Sequence, residues 1–377
     1  MKIPRKYQDL STYLVPNKVL VIYGSRQVGK TTLLQDFLSQ TDLKHKFDSG
    51  DNISTRQVLN SEDFTKIKEY ASGYDLIVID EAQRIPAIGI GLKILVDNIP
   101  DIKIIATGSS SFELAGQVGE PLTGRKKTLI MYPVSQMELA GLYNHFELKQ
   151  KLNEILVFGS YPAVITAPDN SEKVSTLEEI TNSYLFKDIL ELDKVRSPKL
   201  LLDLLRLIAY QVGNEVSLTE LGGQVGLDYK TVKRYLDLLE KSFIIYNLRG
   251  YSKNLRKEIT KKSKYYFYDN GIRNAIIANF NPLEIRNDIG QLWENFLVTE
   301  RIKCQKYSQI ISNNYFWRTW DQQEVDWIEE RNGNLYAYEF KYSPDKKKFS
   351  REFQVTYPEA KIQIINTKNY LKFLDVQ

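Results

Sequence analysis

The residues with the clearest chemistry form a glycine-rich loop near the start of the 377-residue chain. The segment GSRQVGKTT fits the pattern G-x-x-x-x-G-K-[ST], whose backbone N–H groups surround a phosphate. An apolar run at residues 19–23 leads into the loop, and helical spacing at residues 31–38 follows it. This context predicts nucleoside triphosphate binding by Gly24, Ser25, Arg26, Gln27, Val28, Gly29, Lys30, Thr31 and Thr32.

Two acidic residues follow where nucleotide chemistry requires them. The apolar run at residues 75–79 ends in Asp80 and Glu81. We expect Lys30 to reach the β- and γ-phosphates, and Thr31 and Asp80 to hold Mg²⁺ with its water shell. Glu81 would then orient or deprotonate the attacking water. The sequence therefore predicts ATP hydrolysis, with Lys30 and Glu81 as catalytic residues and with ATP and Mg²⁺ bound.

Two further groups of polar residues have two interpretations each. A strand expected at residues 102–106 precedes Thr107 and Ser109, which either contact the γ-phosphate or the attacking water, or cap a helix. Arg125 precedes another apolar strand at residues 128–131. It either reaches a γ-phosphate, within its own chain or from a neighbouring subunit, or is a surface residue. Strands that alternate with helices predict a parallel sheet, with ligands at the carboxyl edge where the first three motifs fall.

A second group of charged residues lies on a predicted β-hairpin in the last third of the chain. An Asn-Gly turn at residues 332–333 places Asp326 opposite Glu339 and Glu324 opposite Lys341. Because alternate residues share a face, these four side chains are expected on one side of the hairpin. The side towards the core is expected to hold Val325, Trp327, Tyr338 and Phe340. Opposed carboxylates repel each other unless a cation lies between them, so this register predicts a cation site.

The middle of the chain has the pattern of a helical segment followed by a DNA-binding module. Residues 145–192 form amphipathic helices interrupted by prolines, where a lid over the nucleotide is expected. Residues 217–240 contain a short helix, a turn and a longer helix, which is typical of a helix–turn–helix. Residues 249–264 carry seven basic residues and one acidic residue, as in a basic wing. DNA contact is expected through this stretch and through Lys230, Lys233 and Arg234. The alternative is a lid or a protein contact.

The motifs GSRQVGKTT, LIVIDEAQRIP, IIATGSSS and LTGRKKTLIMYPVSQMEL resemble those of bacterial AAA-type ATPases of the archaeal-ATPase and signal-transduction NTPase group. The resemblance covers about residues 1–140. It implies an additional-strand catalytic-glutamate sheet, ATP hydrolysis and a polar sensor around residues 107–109. It also implies roles for Arg26 and Arg125.

The spacing of Asp326, Glu339 and Lys341, with Glu294 on a preceding helix, resembles the restriction-endonuclease-like fold. That resemblance implies Asp326 and Glu339 as Mg²⁺ ligands, Lys341 as a transition-state stabiliser and Glu294 as an accessory ligand. The proline that usually precedes the first aspartate is absent, and Val325 takes its place.

Composition excludes several other classes of site. A single cysteine, Cys304, rules out a disulfide framework, and with only two histidines a Cys- or His-built zinc site is not expected. The first residues lack the apolar core of a signal peptide, and no apolar run approaches the length of a membrane span. We therefore expect a cytoplasmic protein without membrane partners. A second copy of the chain, in a homo-oligomer, is a further candidate partner.

Together these patterns predict an α/β chain of four parts. They are a P-loop AAA-type ATPase domain (1–142), a helical lid (143–196), a winged helix (197–264) and an α/β restriction-endonuclease-like domain (265–377). The expected function is an ATPase that couples its nucleotide state to a DNA-facing winged helix and a PD-(D/E)xK nuclease-like domain. One alternative is an ATP-gated regulatory switch whose C-terminal domain is a catalytically silent binding module. Another is a DNA-dependent oligomeric motor without a nuclease of its own.

Overall fold

The computed structural model describes residues 2–108, 121–185, 197–251, 263–345 and 349–376. Its α-helices are α1 (Lys30–Leu38), α2 (Ile53–Leu59), α3 (Phe64–Ala71), α4 (Ile88–Asn98), α5 (Gln136–Leu139), α6 (His145–Phe158), α7 (Pro162–Thr166), α8 (Asn170–Glu179), α9 (Pro198–Tyr210), α10 (Leu218–Val225), α11 (Tyr229–Lys241), α12 (Asn270–Ile276), α13 (Ile289–Tyr307), α14 (Arg351–Thr356) and α15 (Tyr370–Phe373). Short 3₁₀ turns lie at Leu10–Tyr13, Ala82–Arg84 and Leu283–Ile285, and a π-helical turn lies at Ile180–Leu185. No helix in the described ranges combines the length and apolarity needed to span a membrane.

The strands are β1 (Lys18–Gly24), β2 (His45–Ser49), β3 (Leu76–Asp80), β4 (Lys103–Gly108), β5 (Lys126–Met131), β6 (Glu215–Val216), β7 (Ile245–Gly250), β8 (Ser263–Phe267), β9 (Asn313–Arg318), β10 (Glu324–Arg331), β11 (Asn334–Phe340) and β12 (Lys361–Ile365). They form two sheets, one of five strands and one of seven.

The five-stranded sheet is parallel throughout, in the order β2-β3-β4-β1-β5. Strand β4 lies between β1 and β3, which confirms the additional strand that the resemblance implied. The three central strands are buried apolar runs, as expected when helices cover both faces of a parallel sheet. Because the strands run in one direction, Thr107 pairs with Ile22 near the end of β1, and Asp80 pairs with Ser49 at the end of β2.

The seven-stranded sheet has the order β12-β11-β10-β9-β7-β8-β6. Its β10–β11 hairpin begins with Arg331 opposite Asn334, the register that the Asn-Gly turn predicts. Asn332 and Gly333 have φ values of 50° and 71°, as a two-residue hairpin turn requires.

The predicted division of this hairpin into two faces is wrong at Val325. On the β9 side, Val325 pairs with Trp317 but Ile328 pairs with Tyr315, so β10 has one extra residue between these pairs. Such a bulge changes the direction of the side chains beside it. Val325 therefore packs in a small separate cluster with Trp317, whereas Trp327 packs in the main core.

The same sheet joins the two regions that the sequence treats as winged helix and nuclease-like domain. Strand β7 pairs antiparallel with β8 and parallel with β9. The expected boundary between residues 264 and 265 falls inside β8. The two regions therefore share one continuous set of backbone hydrogen bonds.

Helices α10 and α11 stand where the sequence predicts the two helices of a helix–turn–helix. Gly226 ends α10 with φ 73°, and the side chain of Asp228 accepts hydrogen bonds from the first N–H groups of α11. Val232, Leu236 and Leu239 of α11 are buried, whereas Lys230, Lys233 and Arg234 are exposed. Most of the expected basic wing, residues 252–262, lies outside the described residues.

The helices at residues 145–179 pack mainly on the C-terminal half of the chain. Helix α6 contacts α12 and α13. Gly159 ends α6 with φ 73°, and a Cβ at this position would collide with the carboxylate of Asp269. The N–H of Ser160 donates to that carboxylate at 2.6 Å. Only glycine therefore fits at the junction between α6 and α12.

A titratable group near the end of α11 provides a test of how this helix packs against β7. Glu240 is largely buried and accepts a hydrogen bond from Asn247 at 3.2 Å. Burial raises the pKa of Glu240 from 4.5 to about 7, although the bond from Asn247 opposes this shift. Because the folded pKa lies above the unfolded value, the free energy of unfolding falls as pH rises from about 4.5 to about 7.

We predict that Glu240→Gln removes this pH-dependent loss. Across that window, wild type should lose on the order of 2 kcal/mol relative to the variant. Urea unfolding at several pH values between 4.5 and 8 measures the difference. Parallel stability curves for the two proteins would contradict the prediction.

Candidate nucleotide site and acidic cluster

The glycine-rich loop connects β1 to α1 at the carboxyl edge of the parallel sheet. A Cβ on Gly24 would collide with the carbonyl of Met131, and Gly29 has φ 95°, which favours glycine. The buried ammonium of Lys30 donates to the carbonyls of Gly24 at 2.9 Å and Ser25 at 2.8 Å. Lys30 thus lies inside the loop that the sequence predicts as a phosphate site.

The carboxylate of Asp80 brings the ends of three elements together. Asp80 Oδ2 accepts from the hydroxyl of Thr31 at 2.6 Å, and Asp80 Oδ1 accepts from the hydroxyl of Thr107. Thr107 in turn accepts from the backbone N–H of Glu81 at 3.2 Å. Thr31 is exposed at the mouth of the loop, and its hydroxyl and the Asp80 carboxylate are the oxygen ligands that Mg²⁺ prefers. These residues therefore fit the magnesium site predicted there.

Glu81 follows β3 in an uncommon backbone conformation. Its φ of 50° and ψ of 42° lie in the left-handed region, and its carboxylate accepts from the amide of Gln83 at 2.5 Å. Gly50 packs so closely against the Glu81 carbonyl that any Cβ there would collide with it. The backbone and the Gln83 amide together fix the position of the Glu81 carboxylate.

Arg125 lies away from this edge of the sheet. The next residue, Lys126, pairs with Val19 near the start of β1, whereas the glycine-rich loop follows the other end of β1. Five residues of strand separate these ends by roughly 16 Å. The guanidinium of Arg125 pairs instead with Asp97 at 2.6 Å. A contact between Arg125 and a nucleotide in its own chain is therefore wrong, and a contact from a neighbouring subunit stays a prediction.

Arg5 supports the loop, although no sequence pattern marks it. Its guanidinium donates to the carbonyl of Val28 at 2.9 Å, to the carbonyl of Tyr132 at 2.6 Å and to Glu138 at 3.0 Å. Two of these acceptors are backbone atoms, which carry no signal in the sequence.

Ser25 connects the loop to the middle of the chain. Its buried hydroxyl donates to the carbonyl of Phe243 at 3.1 Å. Ser109, the other serine predicted near the nucleotide, lies outside the described residues.

Phe243 occupies the position after α11 where glycine is usual. Its φ is 57°, its N–H bonds to the carbonyl of Glu240, and the N–H of Ile244 bonds to the carbonyl of Leu239. This is the hydrogen-bond pattern of a Schellman cap. The ring of Phe243 packs against two tyrosines of the core, which keeps a bulky residue in this conformation.

A second cluster of charged residues lies where α13 meets the seven-stranded sheet. Glu294, Glu324 and Asp326 offer carboxylate oxygens within 4.8 Å of one another. Between them lies Lys264 of β8, which is fully buried and whose ammonium donates to Glu294 at 3.2 Å and to Glu324. Lys264 belongs to the basic stretch predicted to contact DNA, and that prediction is wrong for this residue because its charge faces the carboxylates.

Asp326 and Glu339 each keep one oxygen that these contacts do not use. Asp326 Oδ2 accepts from the N–H of Phe340 at 2.7 Å, and Glu339 Oε1 pairs with Lys341 at 2.5 Å. Glu339 Oε2 is buried and has no hydrogen-bond partner among the described residues. This orphaned oxygen indicates that the pair fits a divalent cation.

The pKa shifts of the cluster also indicate that it accommodates a further positive charge. Burial raises the pKa of Glu294 to about 7, although the charge of Lys264 opposes this shift. Burial and the neighbouring Glu339 raise the pKa of Asp326, and burial raises that of Glu339. Burial lowers the pKa of Lys264, but the surrounding carboxylates raise it above its ordinary value. The buried carboxylates therefore favour their neutral forms until a further positive charge compensates them.

Three protein families match successive parts of the chain. Residues 16–140 match an AAA domain. Together with the loop geometry, this match supports an AAA-type ATPase. Residues 149–283 match a domain of unknown function (DUF8612), and residues 289–376 match another (DUF4143).

Similar proteins occur in bacteria and archaea. An uncharacterized protein of Mycobacterium tuberculosis is 27% identical over 333 residues, which cover 86% of this chain and 70% of that protein. An uncharacterized protein of Haemophilus influenzae is 27% identical, with 72% of each chain covered. An uncharacterized protein of Methanocaldococcus jannaschii is 23% identical over 96% of this chain and 83% of its own length.

Similarity to solved structures is distant. A Signal Transduction ATPase with Numerous Domains (STAND) protein with a tetratricopeptide repeat sensor, from Pyrococcus horikoshii, has 13% identity and a TM-score of 0.30. The match covers 82% of this chain and 48% of that one. A structure of two coordinating Pif1 helicases at forked double-stranded DNA has 12% identity and a TM-score of 0.23, covering 53% and 58%. This chain thus spans about half the length of these solved chains.

The hydroxyl of Thr107 gives a specific prediction for the nucleotide site. Thr107→Val leaves Asp80 Oδ1 and the Glu81 N–H without their partner, which should lower the rate of ATP hydrolysis about 10- to 100-fold. ATP affinity should change little because Thr107 lies outside the loop. Phosphate release and binding of a fluorescent ATP analogue measure the two effects. Thr107→Ser keeps the hydroxyl and serves as the control, so equal rates in both variants would contradict the assignment.

Proposed function

We propose that this chain hydrolyses ATP and uses the change in nucleotide state to reposition the helix–turn–helix formed by α10 and α11. The observation that carries the proposal is the hydrogen bond from the Ser25 hydroxyl to the Phe243 carbonyl. One end of this bond belongs to the phosphate loop, and the other directly follows α11.

The residues of the nucleotide site have separate roles in this proposal. Lys30 and the loop N–H groups bind the phosphates of ATP. Mg²⁺, held by Thr31 and Asp80, would supply positive charge at the phosphates. Glu81 orients or deprotonates the attacking water, and Thr107 fixes Asp80 and Glu81 relative to each other.

Phe243 is suited to respond to the loop. A left-handed conformation costs a non-glycine residue about 1–2 kcal/mol, so the cap of α11 stores strain. A shift of Ser25 when phosphate binds changes a bond to this strained residue. The three exposed basic side chains of α11 would carry the change to a DNA backbone, which attracts lysine and arginine without sequence preference.

The coupling is tested with Ser25→Ala. This variant should still hydrolyse ATP, but the difference in DNA affinity between nucleotide-free protein and protein with a non-hydrolysable ATP analogue should disappear. Fluorescence anisotropy with labelled duplex DNA at fixed salt measures both affinities. Ser39→Ala, an exposed change at the end of α1, is the matched control. An unchanged nucleotide effect in Ser25→Ala, or none in wild type, would sink the proposal.

A second candidate activity is metal-dependent cleavage of nucleic acid by the C-terminal domain. The observation that favours it is the pair of Asp326 and Glu339, beside Lys341 and with an orphaned carboxylate oxygen. A divalent cation at this pair would activate water and offset charge on a phosphodiester. Lys341, paired with Glu339, would add positive charge beside the phosphate. The competing proposal is a catalytically silent binding module.

Plasmid nicking with Mg²⁺ or Mn²⁺ distinguishes these two proposals. A nuclease should lose nicking in Asp326→Asn, because the cation loses a charged ligand, and should keep it in Lys30→Ala. Asp345→Asn, an exposed change near the end of the same strand pair, controls for loss of surface charge. Nicking that persists in Asp326→Asn would point to a contaminant, and no nicking in wild type would favour the silent module.

A further inference from the structure

The carboxylates of the acidic cluster differ in what holds them. Glu294 Oε1 accepts from Lys264 at 3.2 Å and from the hydroxyl of Tyr266 at 2.6 Å. Glu324 Oε1 accepts from Lys264, and Glu324 Oε2 lies 3.5 Å from Arg318. Both of these carboxylates are therefore engaged by cationic groups of the protein itself.

The other two carboxylates are engaged less completely. Asp326 is fixed by a backbone N–H at one oxygen, and Glu339 is fixed by Lys341 at one oxygen. Glu339 is buried, with 8% of its surface exposed. Its second oxygen nevertheless has no partner among the described residues. An unpartnered carboxylate oxygen in a buried position points to a ligand that supplies positive charge.

The balance of charge favours a divalent cation in the cluster. Four carboxylates face the ammonium groups of two lysines. Arg318 is shared between Glu324 and Glu215, so this further pair of opposite charges leaves the balance unchanged. With all four carboxylates ionised, two negative charges remain, and one divalent cation neutralises them.

We propose that Lys264 fills the place of a second cation, so that the cluster binds one divalent cation, at Asp326 and Glu339. The position of Lys264 explains why a lysine is buried in a sheet: its ammonium holds Glu294 on α13 to Glu324 on β10, as a metal ion would. Glu294 then pairs with the lysine and does not coordinate the metal. This inference rests on the divalent-cation site of the proposed nuclease activity.

The geometry also limits the chemistry of the site. Enzymes with two metal ions clamp both the attacking and the leaving oxygen of a phosphodiester. Here the ammonium group of Lys264 occupies the position of the second metal ion. Unlike a metal ion, an ammonium group cannot take a water molecule as a ligand. Any hydrolysis by this domain would use a single metal ion.

The test counts Mn²⁺ ions by equilibrium dialysis without nucleotide, in full-length chains that carry Asp80→Asn to remove the magnesium site of the loop. The chain with Lys264 should bind one Mn²⁺. Lys264→Met keeps an unbranched side chain that is one atom shorter but removes its charge, and it should bind two. Its melting temperature should be lower than that of the parent without Mn²⁺ and should rise more when Mn²⁺ is added.

Controls separate this inference from the metal site on which it rests. Adding Glu294→Gln to Lys264→Met should return the count to one, because the second ion loses a ligand. A count of one in Lys264→Met, or of two in the parent, would overturn the role of Lys264 and leave the site at Asp326 and Glu339 standing. If the parent bound no Mn²⁺ and Lys264→Met bound one ion, only the site at Asp326 and Glu339 would be overturned.

A further pair of variants covers the case that Lys264→Met does not fold. In chains that keep Lys264, Glu339→Gln should weaken Mn²⁺ binding by at least about tenfold, whereas Glu324→Gln should change it less than about threefold. Equal weakening by both substitutions would show that Glu324 ligates the metal and would overturn the inference.

Discussion

The hydrogen bond between Ser25 and Phe243 is the constraint that ties the nucleotide loop to the end of α11. The loop residue cannot move without changing a bond to the cap of α11. The cap itself cannot relax freely, because the ring of Phe243 packs edge-on against both Tyr132 and Tyr268 of the core. A nucleotide loop, a strained helix end and an aromatic cluster are thus arranged in series, with buried contacts at each step.

The acidic cluster depends in the same way on a contact outside it. Arg301 on α13 forms a bidentate pair with Glu329 on β10, at 2.5 and 2.9 Å, and Trp327 donates to the same carboxylate. Both charged groups are buried, so loss of either partner would cost about 3–5 kcal/mol. Because this pair fixes α13 against β10, it also sets how closely Glu294 approaches Asp326.

Sequence patterns were informative where a local rule determines the structure. The order of apolar strands and glycines located the loop that contains Lys30, and the Asn-Gly turn fixed the hairpin register from Arg331 onwards. The patterns failed where contacts with residues distant in the sequence determine the structure. Nothing around Lys264 distinguishes it from its basic neighbours, and its burial follows from the pairing of β8 with β7. The bulge that redirects Val325 likewise depends on β9.

The parallel pairing of β7 with β9 has a practical consequence for dividing this chain. Two families of unknown function meet between residues 283 and 289, which invites separate expression of each region. Cutting there would separate β7 from β9, which pair with each other, and expose two unprotected sheet edges. Open edges of this kind recruit strands from other molecules. Fragments of this chain are therefore prone to aggregation, whatever their activity, and the C-terminal two-thirds should be handled as one folding unit.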